Sequence, residues 1–300
     1  MLEKIKEVPL IEQSRAVKLL TANGKLLMER NDRVIWAAEL TKLDVEDIDC
    51  YVEADKFFNL LPDVKTLKQT TCLEITLKNG ARYELPFMQV EWESEDMPES
   101  YSDSVTFKLD DLMLCTLKNL VKPELQCIYI DEQGAVSCDF VSACLSTQVK
   151  ATHSLLLPPD VQELVNGRQC LVQIQDGKMY FKSSDFYIAT ALPQMGEDRW
   201  WEDLRAMIPQ RIEGVAVTSL VESLKRLQLF GDYVTFSNNR VNVGENYEPF
   251  IFVADMTDNN FEIERLSKIL TTAVKMDKIE QNLMFTNETS RFLLSPMEEV

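Results

Sequence analysis

Apolar and polar positions alternate along most of the chain in short runs, and two-residue turn signals punctuate the runs. The stretch Lys56–Met88 carries the pattern most plainly. Phe57, Phe58, Leu60 and Leu61 fill one broad face of a helix predicted over Asp55–Leu61, which Pro62 stops. Leu73, Ile75 and Leu77 then alternate with Glu74, Thr76 and Lys78. Asn79-Gly80 supplies the positive φ angles of a tight hairpin turn, and Tyr83 and Leu85 carry the return strand. One helix on one hairpin buries little by itself, so such a unit must recur or find neighbours.

The same pattern recurs. Before the unit, VKLLTA, KLLMER and RVIWAAEL within Ala16–Leu40 read as a three-stranded meander with turns at Asn23-Gly24 and Asn31-Asp32. After an acidic, irregular segment from Phe87 to Tyr101, a helix is predicted over Leu109–Val121, with Leu109, Leu112, Met113, Thr116 and Leu120 on one stripe. Strands LQCIYID, GAVSCD and VSACLSTQV follow, then a helix from Leu157 to Val165 closed by Asn166-Gly167, then CLVQIQ, KMYFKS and FYIATALP. Gln194–Arg211 reads as an irregular linker anchored by Trp200, Trp201, Leu204 and Met207. A third pass has a helix over Val215–Leu229, strands YVTFS, RVNVG and PFIFVADM, a helix over Phe261–Lys275, and strands NLMFT and SRFLLSPM. The chain therefore reads as α+β, with three tandem copies of about 90 to 100 residues, each of two helix-plus-strand halves. The boundaries fall at 1–100, 101–210 and 211–300, and the first copy's opening helix is reduced to Leu2–Glu7.

With 45% hydrophobic residues in 300, the chain can bury two or three cores. A formal net charge of -18 argues against nucleic-acid binding by the whole surface but allows a local basic stripe. The N-terminus lacks a signal-peptide pattern, and no run approaches the roughly 18 apolar residues of a membrane span, so a soluble, cytoplasmic protein is expected. The seven cysteines, 50, 72, 115, 127, 138, 144 and 170, form an odd set without a CxxC pair and read as reduced core thiols. Asn287-Glu288-Thr289 matches a glycosylation sequon but reads more simply as a turn.

Catalytic chemistry is hard to assemble from these residues. His153 is the only histidine and has no nucleophile motif beside it; phosphate-binding glycine motifs, GxSxG and metal-ligand spacings are missing. No catalytic residue, metal or cofactor is expected, although scattered carboxylates leave a two-carboxylate hydrolase open. The helix faces are more informative. Phe261, Leu266, Ile269, Leu270, Ala273 and Val274 form one side of the last predicted helix, with Arg265, Lys268, Thr272 and Lys275 opposite. Lys118 and Lys122 share a face of the second copy's first helix, and Lys225 and Arg226 do so in the third copy. A solvated face is the ordinary reading of such charges; their recurrence on equivalent helices makes them candidates for phosphate contacts. The helix at Pro159–Val165 offers Asp160 and Glu163 instead.

The order of these segments resembles the bacterial β sliding clamp family, the β subunits of DNA polymerase III. VEADKFFNLLPD is similar to the family's first-domain Lys-Phe-Phe helix, GEDRWWEDLRAMIPQ to its link between second and third domains, and Ser295-Pro296-Met297 to its Met-Pro-Met ending. The chain departs from the family at Cys138–Ala143, where Thr-Asp-Gly-His-Arg-Leu is usual and only Asp139 matches. Short length and the abbreviated first helix fit a divergent, phage-encoded member. The resemblance implies a homodimeric ring of six domains, helices lining the hole, that encircles duplex DNA without reading sequence and tethers a DNA polymerase. It also implies an apolar cleft for short linear motifs of polymerase and clamp loader, matched here by Val141, Ala143, Met207, Leu294, Ser295, Pro296 and Met297. A trimeric clamp of the eukaryotic type has two domains per chain, against three here. A β-rich structural or interaction protein, in a virion or as an adaptor, is the alternative class.

Overall fold

The computed structural model describes residues 16–22, 25–31, 34–40, 44–45, 47–89, 96–116, 122–184, 186–193, 199–237, 239–252 and 256–297. Strands β1 (Ala16–Ala22), β2 (Lys25–Asn31) and β3 (Val34–Leu40) form the opening meander. Strands β4 (Asp44–Val45) and β5 (Asp49–Glu53) lead into helix α1 (Ala54–Leu60). Next come β6 (Val64–Gln69), β7 (Leu73–Leu77), β8 (Arg82–Leu85), β9 (Asp103–Thr106) and the one-turn α2 (Asp110–Met113). Then β10 (Ile128–Asp131), β11 (Gly134–Cys138), β12 (Ser142–Ser146) and β13 (Leu155–Leu157) precede α3 (Pro159–Val165). Strands β14 (Gln169–Gln175), β15 (Lys178–Lys182) and β16 (Phe186–Ala191) precede α4 (Trp200–Met207). The last part holds β17 (Val215–Ala216), α5 (Thr218–Leu227), β18 (Tyr233–Ser237), β19 (Arg240–Val243), β20 (Asn246–Pro249) and β21 (Met256–Glu262). It closes with α6 (Ile263–Leu270), β22 (Lys275–Ile279), β23 (Asn282–Thr286) and β24 (Ser290–Leu294).

Contacts divide the chain into two compact units, Met1–Phe107 with Asp160–Leu192, and Lys108–Pro159 with Pro193–Val300. In the first, eight strands run in the order β5-β1-β2-β3-β16-β15-β14-β9, and a separate four-stranded sheet runs β4-β6-β7-β8. Val17, Leu19, Met28, Val52, Phe57 and Phe181 are among its buried side chains. The second unit repeats the arrangement, with an eight-stranded sheet β13-β10-β11-β12-β24-β23-β22-β17 and a four-stranded sheet β20-β19-β18-β21. There Phe236 meets Phe250, Phe252 and Phe261 edge-on at 6.2, 5.6 and 6.1 Å between ring centroids, a favoured aromatic geometry. Each eight-stranded sheet is two four-stranded halves fused by one antiparallel pairing, β3 with β16 or β12 with β24. The two four-stranded sheets are halves left unfused.

Several expectations are corrected. The last helix does not reach Lys275: it ends at Leu270, and Lys275 opens β22. Thr271 and Thr272 give their hydroxyls to the carbonyls of Lys268 and Ile269, competition of the kind that ends helices, and Val274 N–H already donates to Thr286 O across the sheet. The Gln194–Arg211 linker contains a real helix, α4, because Trp200, Trp201 and Leu204 pack on the sheet. The helix expected from Val215 starts only at Thr218, since Val215 and Ala216 pair with Met276 and Lys275. PFIFVADM is not one strand: β20 ends at Pro249, Phe250 and Phe252 turn into the core, and β21 begins at Met256. Of the helix predicted over Leu109–Val121, Asp110–Met113 is helical, and 117–121 lie outside the described residues, as do the lead helix Leu2–Glu7 and the turn at 23–24; of the turn expected at Asn31-Asp32, Asn31 ends β2 and 32 lies outside the described residues.

Candidate docking groove and basic surface

The site is built on the β10-β11-β12-β24-β23-β22 part of the second unit's sheet. Register places Tyr129, Val136, Leu145, Arg291, Thr286 and Lys275 in one cross-strand row. Two residues along, the next row on that face is Cys138, Ala143, Leu293, Met284 and Asp277. Trp201 of α4 packs on these rows, stacking flat on Tyr129 at 4.2 Å and 12°. The opposite face carries α2, where Ser137 Oγ donates to Leu112 O at 2.7 Å. Two arginines clip α4 and its exit to the sheet. Arg205 donates to both oxygens of Asp131, at 2.6 and 2.8 Å, and to Gly134 O. Arg291 donates to Pro209 O at 2.9 Å. Burial raises the Asp131 pKa, but the Arg205 and backbone hydrogen bonds outweigh it and leave the carboxyl below its usual range.

At the other end of β12 and β24, Asp139 organises the loop that leads into β12. Its Oδ1 accepts from Val141 N and Ser142 N at 2.8 and 2.6 Å, and Oδ2 takes Arg265. Ser295 N donates to Val141 O at 2.8 Å and Met297 N to Asn260 O at 2.7 Å, so the C-terminal segment continues along this loop. Val141, Ser295, Pro296 and Met297 are half-buried there, and Met207, at the end of α4, is 55% exposed. Two expected groove residues are corrected: Ala143 is buried beneath the α4 cluster, and Leu294, fully buried, faces the other side of the sheet opposite Ser142. Sequence reasoning missed Phe140, 56% exposed with Lys122 Nζ 5.8 Å from its ring centre, and the Asp139–Arg265 pair, separated by 126 positions.

The candidate phosphate-binding cations are not one helical stripe. Lys118 lies outside the described residues. Lys122 and Lys275 are exposed, the latter in a strand. Lys225 pairs with Glu222 at 2.9 Å, Arg226 makes two bonds to Glu248 at 2.8 and 2.9 Å, and Lys268 pairs with Glu264. Arg265 is turned inward. Burial opposes its charge, but Asp139 and Glu262 more than compensate and raise its pKa, so its guanidinium is committed within the fold. Helices α5 and α6 pack on each other, and Lys225, Arg226 and Lys268 remain exposed on them.

Four of the seven cysteines are poor nucleophiles. Burial pushes Cys50, Cys115 and Cys138 up to about 12, and Cys144 upward too, holding them as thiols. His153 is exposed in the turn before β13. Among the described residues no His, Cys, Asp and Glu cluster has metal-binding geometry, and no helix is long and apolar enough to cross a membrane.

No family model and no curated protein matches the sequence. Solved structures do match. The Helicobacter pylori beta clamp bound to a DNA ligase peptide superposes with a TM-score of 0.75 at 12% identity, over 99% of this chain and 96% of that one. The DNA polymerase III subunit beta of Borrelia burgdorferi, in complex with a natural product, gives 0.77 at 15% identity, over 100% and 96%. The DNA polymerase III beta chain of Streptococcus pneumoniae TIGR4 gives 0.75 at 13%, over 99% and 97%. The fold is that of these bacterial sliding clamps, end to end.

Proposed function

We propose that this chain is a sliding clamp: two copies close head to tail into a ring around duplex DNA and tether a DNA polymerase without catalysing a reaction. The observation that carries this reading is the likeness to bacterial clamps over both full chain lengths. The sheet plan supports it. Read as three clamp domains, the chain has six four-stranded halves, of which four are fused in pairs and two are not; the edge strands equivalent to the fused β3/β12 and β16/β24 are β20 and β8. Pairing β8 of each copy with β20 of the other would fuse the remaining halves and satisfy both edges.

Phosphate contacts would come from exposed cations such as Lys122, Lys225, Arg226 and Lys268, each weak enough to exchange as the ring slides. The tether would be a short apolar peptide seated by Val141, Ser295, Pro296, Met297, Met207 and Phe140, where a flexible thioether suits varied partners. Tethering raises the local polymerase concentration, which accounts for processivity without chemistry. The test is retention: protein loaded on a closed DNA circle should remain through gel filtration and be lost once the circle is cut. Equal retention on circular and linear DNA, or none on either, rejects the reading.

A further inference from the structure

On the α4 face of the second unit's large sheet, at the end away from Asp139, lies a cavity of about 860 Å³, within the size range of small-molecule sites. Its floor is the row Leu145, Arg291, Thr286 and Lys275, and Arg205 and Arg211 border it. Arg291 and Lys275 stand two strands apart on the same face, about 10 Å between backbones, with only Thr286 between them. Arg205 is already offset by Asp131. Arg211, Lys275 and Arg291 form no ion pair with a described residue, and the single carboxylate in the lining is Glu288. On the same face Asp277 is taken by the backbone N–H groups of Gly214 and Lys278.

Arg291 is the telling member. It is half-buried, and the carbonyls of Ile208 and Pro209 accept from one terminal nitrogen, at 3.4 and 2.9 Å. These neutral acceptors fix the guanidinium in place but leave its charge uncompensated, and burial accordingly lowers its pKa. A partly desolvated arginine facing a second free cation across one threonine, in a chain of net charge -18, is an arrangement completed by an oxyanion from outside.

We propose that this cavity binds a compact polyanion, with Arg291 as the fixed donor and Lys275 and Arg211 closing on its other oxygens. The shared chemistry is two or more clustered oxyanions, from a small phosphate compound or from neighbouring carboxylates of an acidic peptide. The site lies about four residues, roughly 13 Å, along β12 and β24 from the Val141–Ser295 groove, and all its residues belong to one compact unit. It therefore stands whether or not the chain encircles DNA.

Isothermal titration of the full chain at low salt, with inorganic pyrophosphate in one arm and a tetraglutamate peptide in the other, tests it. Saturable binding of either probe is expected, weakened about tenfold by Arg291→Gln and further by added salt. Because Arg291→Gln removes bonds to the segment after α4, the double variant Arg211→Gln/Lys275→Gln, at exposed positions, must also weaken binding by about tenfold. Which arm responds identifies the source of the anion. No saturable binding of either probe, or binding that the double variant leaves unchanged, overturns the proposal.

Discussion

Gly134 illustrates how tightly single positions are fixed in the site's sheet. It adopts φ +135°, and a Cβ there would lie 2.4 Å from the carbonyl oxygen of Ser146, which is backbone and cannot turn aside. Gly80, in the Asn79-Gly80 hairpin, also has positive φ, +86°, but open space around its Cβ position. The two separate conformational strain from overpacking. Gly80→Ala is expected to cost about 1 kcal/mol, from φ alone; Gly134→Ala should cost about 3 kcal/mol, because strain and a backbone clash add. Urea unfolding of both variants checks this, and equal losses would mean the Ser146 contact relaxes freely. Of the two, only Gly80 announces itself in the sequence. Asn79-Gly80 is a turn signal, whereas the demand on Gly134 comes from a neighbouring strand's carbonyl. Asp139 is likewise legible only as a family match: its bonds to Val141 and Ser142 are local, but the one to Arg265 reaches a partner 126 positions away.

Among elements, α4 is held by tertiary contacts more than by its own eight residues, since isolated helices of that length are marginal. Its Arg205–Asp131 pair is largely shielded, with side chains 18% and 17% exposed. Asp131 is depressed in the fold, so its contribution is present above the unfolded carboxyl pKa, about 3.9, and is lost as pH falls through the lower folded value. Asp131→Asn should therefore cost about 2 kcal/mol at pH 7, with the gap to the parent chain closing below about pH 4. Thermal melts of both proteins from pH 7 to pH 3 test this, and a gap that stays constant throughout would assign the loss to packing. The same reliance on tertiary contacts explains why α4 reads as a linker. Eight residues between Gly196 and Pro209 give too little periodicity, and the stack of Trp201 on Tyr129 spans 72 positions. Strand β6 escapes for a related reason: it is buried at Val64 and Leu67, a spacing of three that breaks the period of two. The hairpins at Asn79-Gly80 and Asp176-Gly177 are legible because their turn chemistry is local. α6 is over-extended because Ala273 and Val274 keep the apolar stripe going while Thr271 and Thr272 have already closed the helix.

For the whole molecule the decisive question is what meets β20. The strand is an exposed edge, α5 packs against it, and large apolar side chains stand uncovered beside these elements. Ile251, two residues past β20, is 78% exposed, and Leu229, two past α5, is 81% exposed. Exposed apolar groups flanking an unpaired strand edge form the pattern of a sheet-extending interface. In the proposed ring that partner is β8 of a second copy, whose own edge carries the exposed Tyr83. Ile251→Glu places a carboxylate where an apolar contact should close. A loss of about 2 to 3 kcal/mol per interface is roughly 30- to 150-fold, and because both seams carry the substitution the dimer dissociation constant should rise by roughly a thousandfold or more. The monomer should melt normally, because a side chain this exposed contributes little to its own fold. Sedimentation equilibrium across a dilution series of both proteins reads the outcome. A parent chain that stays monomeric at micromolar concentration, or a dimer indifferent to Ile251→Glu, would count against β20 as the seam. Loss of dimer with retained folding would place the closure of the ring at this edge.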